Sequence, residues 1–208
     1  MNQMTKSFYE ALLELNRIKV LQIFKDALKD ITALEFIENI MREALDILGK
    51  GWEEGTVALS QVYMSGKICE EVINSELKDF FYEQDEESEI AIAVLEDYHF
   101  LGKRIVYSFL RLNGFSVIDY GGKSVNELVE AVKKDQIKIL LVSVLMLSSA
   151  LRVKELKKAL SDVDVKIIVG GAPFRFDQEL WKSVGADAMG NSAQDAVEIV
   201  QKMTGGDK

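Results

Sequence analysis

IAIAVLEDYHFLG, residues 90 to 102, is a short apolar run that breaks into a polar turn and reopens as a helical pattern. Ile90 to Leu95 has the length and β-branched content of a strand covered on both faces. From Leu101 onward the apolar residues return at helical spacing. The turn between them carries His99, the one histidine among 208 residues. A strand feeding a helix is half of a βαβ unit, and the chain beyond it repeats the unit.

FSVIDY (115–120), IKILLVSVL (137–145), VKIIVGG (165–171) and a brief ADAM (186–189) are the further strand candidates. Helical windows fall near 102–112, 124–134, 150–160, 175–183 and 192–203. Alternation at this spacing predicts a doubly wound, five-stranded parallel sheet of α/β class. The flavodoxin-like (Rossmann-like) strand order is expected, with its ligand crevice at the carboxyl ends of the strands. Asp97, His99, Ser143, Gly170 and Gly171 all fall at those ends.

Upstream the grammar is different. Residues 1 to 82 contain no proline, and glycine occurs there only at 49, 51, 55 and 66. Leu34, Ile37, Ile40, Met41, Ala44, Leu45 and Leu48 mark one helical face. Asp30 and Thr32 offer N-cap oxygens, and Gly49 with Gly51 is expected to end that helix. Four helices near 4–14, 17–28, 32–49 and 58–80 predict a bundle. The acidic stretch YEQDEESE (82–89) suits a linker. The expected organisation is a helical bundle at 1–82, a linker at 83–89 and an α/β domain at 90–208.

Composition narrows the function. A net charge of −9 argues against a nucleic-acid groove, which needs a surplus of Lys and Arg. No stretch approaches the roughly 20 apolar residues of a membrane span. The opening MNQMTKSFYEALLELNRIK lacks a signal-peptide core, so a cytoplasmic location is expected. Cys69 is the single cysteine, which excludes an internal disulfide and a cysteine-cluster metal site.

A lone histidine after a strand can simply cap the next helix or satisfy a buried carbonyl. Several catalytic readings fail on inventory. Zinc wants three or four clustered ligands. A Ser-His-Asp hydrolase built from Ser143, His99 and Asp97 lacks the G-x-S-x-G elbow. The first strand is followed by EDYHFLGK, not by a glycine-rich phosphate loop. A metal held by a macrocycle, however, asks the protein for one axial donor. Asp97 could fix the tautomer of that imidazole, and Ser143 could hydrogen-bond the carboxylate to complete a proton relay.

Asp97-Tyr98-His99-Phe100-Leu101-Gly102 resembles the D-x-H-x-x-G of cobalamin-binding domains of the methionine synthase type. Ser143-Val144-Leu145 fits the S-x-L of that family, and Gly170-Gly171 fits its G-G, although the glycines also read as a plain turn ahead of Pro173. The segment ILGKGWEEGTVALSQVYMSGKICEEVI (47–73) resembles the helical cap of the same family and of corrinoid proteins of one-carbon methyltransferases. Leu59-Ser60-Gln61-Val62 is similar to the L-P-Q-V of methyl-transfer caps. The resemblance covers nearly the whole chain.

It implies a cobalamin or related corrinoid bound base-off, with His99 as the cobalt ligand. It implies that Trp52 and Leu59 cover the upper face of the corrin, although Trp52 alone reads equally as a bundle-core aromatic. Gly102, Gly170 and Gly171 would leave room for the cofactor tail, and Leu145 and Ser143 would line its slot. The function implied is a non-catalytic methyl carrier in one-carbon metabolism, with methylcobalamin as its working state. Its partners would be a donor-side and an acceptor-side methyltransferase and a reductive activase of the corrinoid. The alternative is a cobalamin-dependent sensor. Sensors of that kind carry a DNA-binding module and a Glu-His pair in the cap, where this chain has Val62 and Tyr63. Three departures from the family stand out: Glu96 replaces a customary Gly, Phe100 and Leu101 replace a polar-then-apolar pair, and Leu147 replaces a hydroxyl that faces the corrin. Ser148 is expected to compensate.

Overall fold

Thr32 begins the longest helical stretch of the N-terminal part by a reciprocal cap. Its hydroxyl accepts from the Glu35 amide at 3.2 Å, and the Glu35 carboxylate accepts from the Thr32 amide at 2.8 Å. The computed structural model describes residues 2–76 and 88–205. The chain divides into two compact units, Met1–Asp79 and Phe80–Lys208. Apart from Ser88 and Glu89, the expected linker lies outside the described residues.

The first unit consists of α1 (Gln3–Leu13), α2 (Arg17–Ala27), α3 (Ala33–Phe36), a π-helical turn (Ile37–Met41), α4 (Arg42–Glu53) and α5 (Leu59–Glu76). Asn2 and Asn16 cap α1 and α2 through their side-chain oxygens. Phe36 stands at the centre of the core. The rings of Phe8 and Phe24 each meet it edge-to-face with centroids 5.0 Å apart. Leu12, Met41, Leu48 and Ile68 are buried in the same unit.

Gly49 and Gly51 do not end the third helix as expected. The helix passes through both and stops at Glu53, and the chain turns at Gly55, whose φ is +74°. Gly51 serves the returning chain instead. A Cβ there would lie 2.5 Å from Val57 Cγ2, and the Thr56 and Val57 amides donate to the Gly51 carbonyl.

The second unit runs β1 (Ile90–Leu95), α6 (Leu101–Leu112), β2 (Ile118–Lys123), α7 (Val125–Lys134), β3 (Ile139–Ser143) and α8 (Leu147–Ala159). It closes with β4 (Lys166–Gly170), α9 (Ala172–Phe176), α10 (Leu180–Ser183), β5 (Ala188–Gly190) and α11 (Ala193–Met203). All pairings are parallel, in the order β2-β1-β3-β4-β5. This is the flavodoxin-like order that the alternation predicts. Every residue of β1 is buried, as a central strand with helices on both faces requires. Ala91, Ala93 and Leu95 face a core shared with Leu128 and Val132 of α7 and Val153 and Leu156 of α8.

β2 sits three residues later than the apolar run 115–120 suggests. Its pairing with β1 continues across a register slip to Leu95↔Lys123, and the Glu96 amide donates to the Lys123 carbonyl at 2.9 Å. Tertiary pairing therefore carries the strand through Gly121 and Gly122, where local signals read a turn.

Candidate cofactor site

β1 and β3 are neighbours, so the loops that follow them meet at one edge of the sheet. The Asp97 side chain is 1% exposed there. Its Oδ1 accepts from the Tyr98 amide at 2.7 Å, the His99 amide at 3.2 Å and His99 Nδ1 at 2.5 Å. Its Oδ2 accepts from the amides of Leu145 and Met146 at 2.9 and 3.0 Å. Those two amides lead into α8, at whose N-terminus the helix dipole favours an anion. Burial pushes the Asp97 carboxyl upward, but the bonds from His99, Leu145 and Met146 outweigh it and hold the group below its ordinary value.

The imidazole follows from this carboxylate. Nδ1 carries the proton that it donates to Asp97, which leaves the Nε2 lone pair for a metal. The ring is 39% exposed. Around it the strand ends present apolar side chains to solvent: Tyr98, Leu145, Met146 and Leu147 are all exposed. Leu145, Leu147, Pro173, Phe176 and Leu180 line an open groove of about 320 Å³. Leu147, which stands where the resemblance places a hydroxyl, thus belongs to an apolar wall.

The expected relay is not formed. Among the described residues Ser143 is not a partner of Asp97, because the carboxylate is filled by four backbone amides and the imidazole. The Ser143 hydroxyl faces Gly102 instead, 3.3 Å from where a Cβ at that glycine would stand. Ser143 lies in register with Gly170 on β4, and Gly170 with Gly190 on β5. Three strands therefore end in a row of small residues. Gly190 escaped the sequence reading, since a glycine closing a three-residue strand carries no strong local signal.

Gly171 is explained within the chain itself. Its φ is +120°, and a Cβ would fall 1.8 Å from the Val144 carbonyl oxygen. Phe100 turns its ring onto Gly122 of β2, beneath the buried Lys103, whose ammonium is 5.8 Å from the ring centroid and pairs with Asp119. Leu101 begins α6 half-buried, and Ser148 is exposed in the first turn of α8. The buried hydroxyl nearby is Ser149, which donates to the Glu96 carbonyl at 2.9 Å. In the first unit Trp52 and Leu59 are exposed, with Tyr63 one turn beyond Leu59 on α5.

Residues 88–201 match the B12 binding domain family, and residues 4–75 match a second B12 binding domain family. The chain belongs to the B12-binding family. It is 34% identical over 182 residues to a monomethylamine corrinoid protein of Methanosarcina mazei, which covers 81% of this chain and 82% of the relative. A trimethylamine corrinoid protein of Methanosarcina barkeri is 29% identical, with 89% and 97% covered. The solved structure of a monomethylamine corrinoid protein from Methanosarcina barkeri superposes with a TM-score of 0.80 at 29% identity, over 94% of this chain and 96% of that one. Among the described residues of this B12-binding chain, no helix is long and apolar enough to cross a membrane.

Proposed function

We propose that this chain binds a corrinoid through His99 and carries methyl groups between a donor-side and an acceptor-side methyltransferase, with a reductive activase as a further partner. The observation that carries the proposal is the Asp97–His99 pair at the strand-end edge, where one imidazole has Nδ1 committed and Nε2 left over. The donor set fits such a cofactor. Among the described residues no group of three or more His, Cys, Asp or Glu could hold a bare ion, whereas a macrocycle brings four equatorial ligands and asks for one more.

When bound, the corrinoid supplies a cobalt centre that takes up and gives up a methyl group, with methylcobalamin as the working state. The chain's own residues bind and orient. His99 offers Nε2, and Asp97 holds the Nδ1 proton and stays anionic against the α8 N-terminus. Ser143, Gly170 and Gly102 keep the strand edge low enough for the tail. Tyr98, Leu145 and Ser148 contribute contacts beside it. The role is that of a carrier in the cytoplasm. Relatives named for monomethylamine and for trimethylamine are both similar to this chain over most of its length, which supports a donor chosen by the partner enzyme.

The test is reconstitution with hydroxocobalamin, followed by EPR of the cobalt(II) form in wild type and His99→Ala. Nitrogen superhyperfine splitting from the protein imidazole is expected in the wild type alone. Identical spectra would overturn axial ligation.

A further inference from the structure

Glu96 precedes Asp97 with φ +46°, a left-handed conformation that a residue with a Cβ resists. Contacts from three elements hold it there. Its amide donates to the Lys123 carbonyl at the end of β2. Its carboxylate accepts from the Val125 amide at the start of α7 at 3.3 Å. Its carbonyl accepts from the buried Ser149 hydroxyl of α8. The Arg152 guanidinium, one turn further along α8, donates from Nε to Oε2 at 3.0 Å and from Nη2 to Oε1 at 3.2 Å.

The fork of Arg152 on Glu96 is solvated, with side chains 44% and 30% exposed. Exposed pairs of this kind contribute little to folding. What the pair does supply is direction, because a bidentate fork fixes two planes against each other. α8 also presents the Leu145 and Met146 amides to Asp97. The start of α8 and the two residues leading into it thus hold both Glu96 and Asp97.

We infer that Glu96 and Arg152 are positioning residues for the axial imidazole, a clamp from α8 that holds the backbone ahead of Asp97 in its left-handed turn and so fixes the reach of His99 Nε2. The inference rests on axial ligation by His99. It also accounts for the departure at this position: a glycine would adopt the turn unaided, whereas Glu96 adopts it under restraint from its side chain. The α8 clamp does for Glu96 what the missing Cβ would do for glycine, and adds a fixed orientation.

The experiment uses the full chain with Arg152→Met, Arg152→Lys, Glu96→Gly and His99→Ala. On cofactor-free protein, the ring Nδ1–H resonance of His99 is followed by NMR. On hydroxocobalamin-loaded protein, the cobalt(II) EPR signal is divided into imidazole-ligated and unligated populations, and the cobalt(II)/cobalt(I) midpoint is recorded. In Arg152→Met the ratio of ligated to unligated cobalt(II) is expected to fall about tenfold, within the range of losses seen when a ligand's supporting partner is removed. The Nδ1–H resonance should shift or broaden, and the melting temperature should stay at the wild-type value. Glu96→Gly, which adopts the turn unaided, should keep the ligation with no loss of melting temperature, and Arg152→Lys should recover part of what Arg152→Met loses. Wild-type NMR and EPR in Arg152→Met, with nitrogen splitting lost in His99→Ala, would overturn the clamp and leave axial ligation standing. A lowered melting temperature with unchanged spectra would make the pair merely structural and also overturn it. Splitting that persists in His99→Ala would remove axial ligation, and the clamp with it.

Discussion

The two units expose their candidate cofactor residues in opposite ways. In the sheet unit the two carboxylates that precede His99 are tied down: Asp97 by four amides and a ring nitrogen, Glu96 by contacts to β2, α7 and α8. In the helical unit Trp52, Leu59 and Tyr63 are about half or more exposed, at 48%, 62% and 51%. That unit spends its precision inward, on the Phe8–Phe36–Phe24 core and on helix caps. Under the proposed function the contrast follows from the chemistry each would perform. A metal ligand works only within a narrow geometry, so it belongs on a hydrogen-bonded strand end. An apolar cover tolerates a shift of its rings, because dispersion and burial are non-directional.

Glycine substitutions break the comparison most sharply. Gly171→Ala puts a Cβ 1.8 Å from a backbone oxygen at φ +120°, with nothing flexible to yield. A loss of about 3 kcal/mol or more is expected from the clash and the strain together. Gly51→Ala in the helical unit meets Val57 Cγ2, the end of a side chain that can turn. Its clash costs roughly 1–2 kcal/mol, and the gain of about 1 kcal/mol in helix propensity offsets much of that. Urea unfolding of the two variants reads the difference, and equal losses would mean that the strand-end loop relaxes as easily as the helix.

Acid sharpens the same contrast at intermediate size. Asp97 is depressed below its ordinary 3.8. Its contribution is therefore present above that value and lost as pH falls through the lower folded value, since the unfolded chain takes up the proton first. The stability difference between wild type and Asp97→Asn should be constant from neutral pH down to about 5 and shrink below 4. Glu35 of the helical unit is also lowered, by the Thr32 amide and hydroxyl, but it is exposed. Because that cap is exposed and solvated, its part of the acid response should be smaller than that of Asp97. Equal responses in both units, followed by chemical shifts, would remove the distinction.

The smallest stability effect is expected at Trp52. Trp52→Ala should change unfolding by less than about 1 kcal/mol, as for other exposed positions. Its fluorescence should nonetheless be strongly quenched when hydroxocobalamin binds, whereas Trp181, packed against the sheet core, should respond less. Single-tryptophan variants separate the signals, and equal quenching would return Trp52 to the ordinary surface.

Periodicity alone determined the element types, the parallel sheet and its flavodoxin-like order. Apolar spacing reports which face of an element is covered, and chain order with right-handed crossovers leaves few topologies. The D-x-H spacing likewise marked His99 and Asp97, because a two-residue separation on one loop lets the carboxylate reach back to the ring. What only the tertiary structure decided depends on contacts between segments far apart in sequence. The partners of Asp97 Oδ2 are amides 48 and 49 residues away, and these displace the relay that Ser143 was expected to form. Glu96 read as a departure until its φ and its bond to Arg152, 56 residues on, supplied the reason. Gly171 is required by Val144 rather than by the turn in which it sits. Local sequence specifies what a segment can become. Only the packed chain specifies which backbone groups stand within 3 Å of one another, and at this edge of the sheet that distance selects the chemistry.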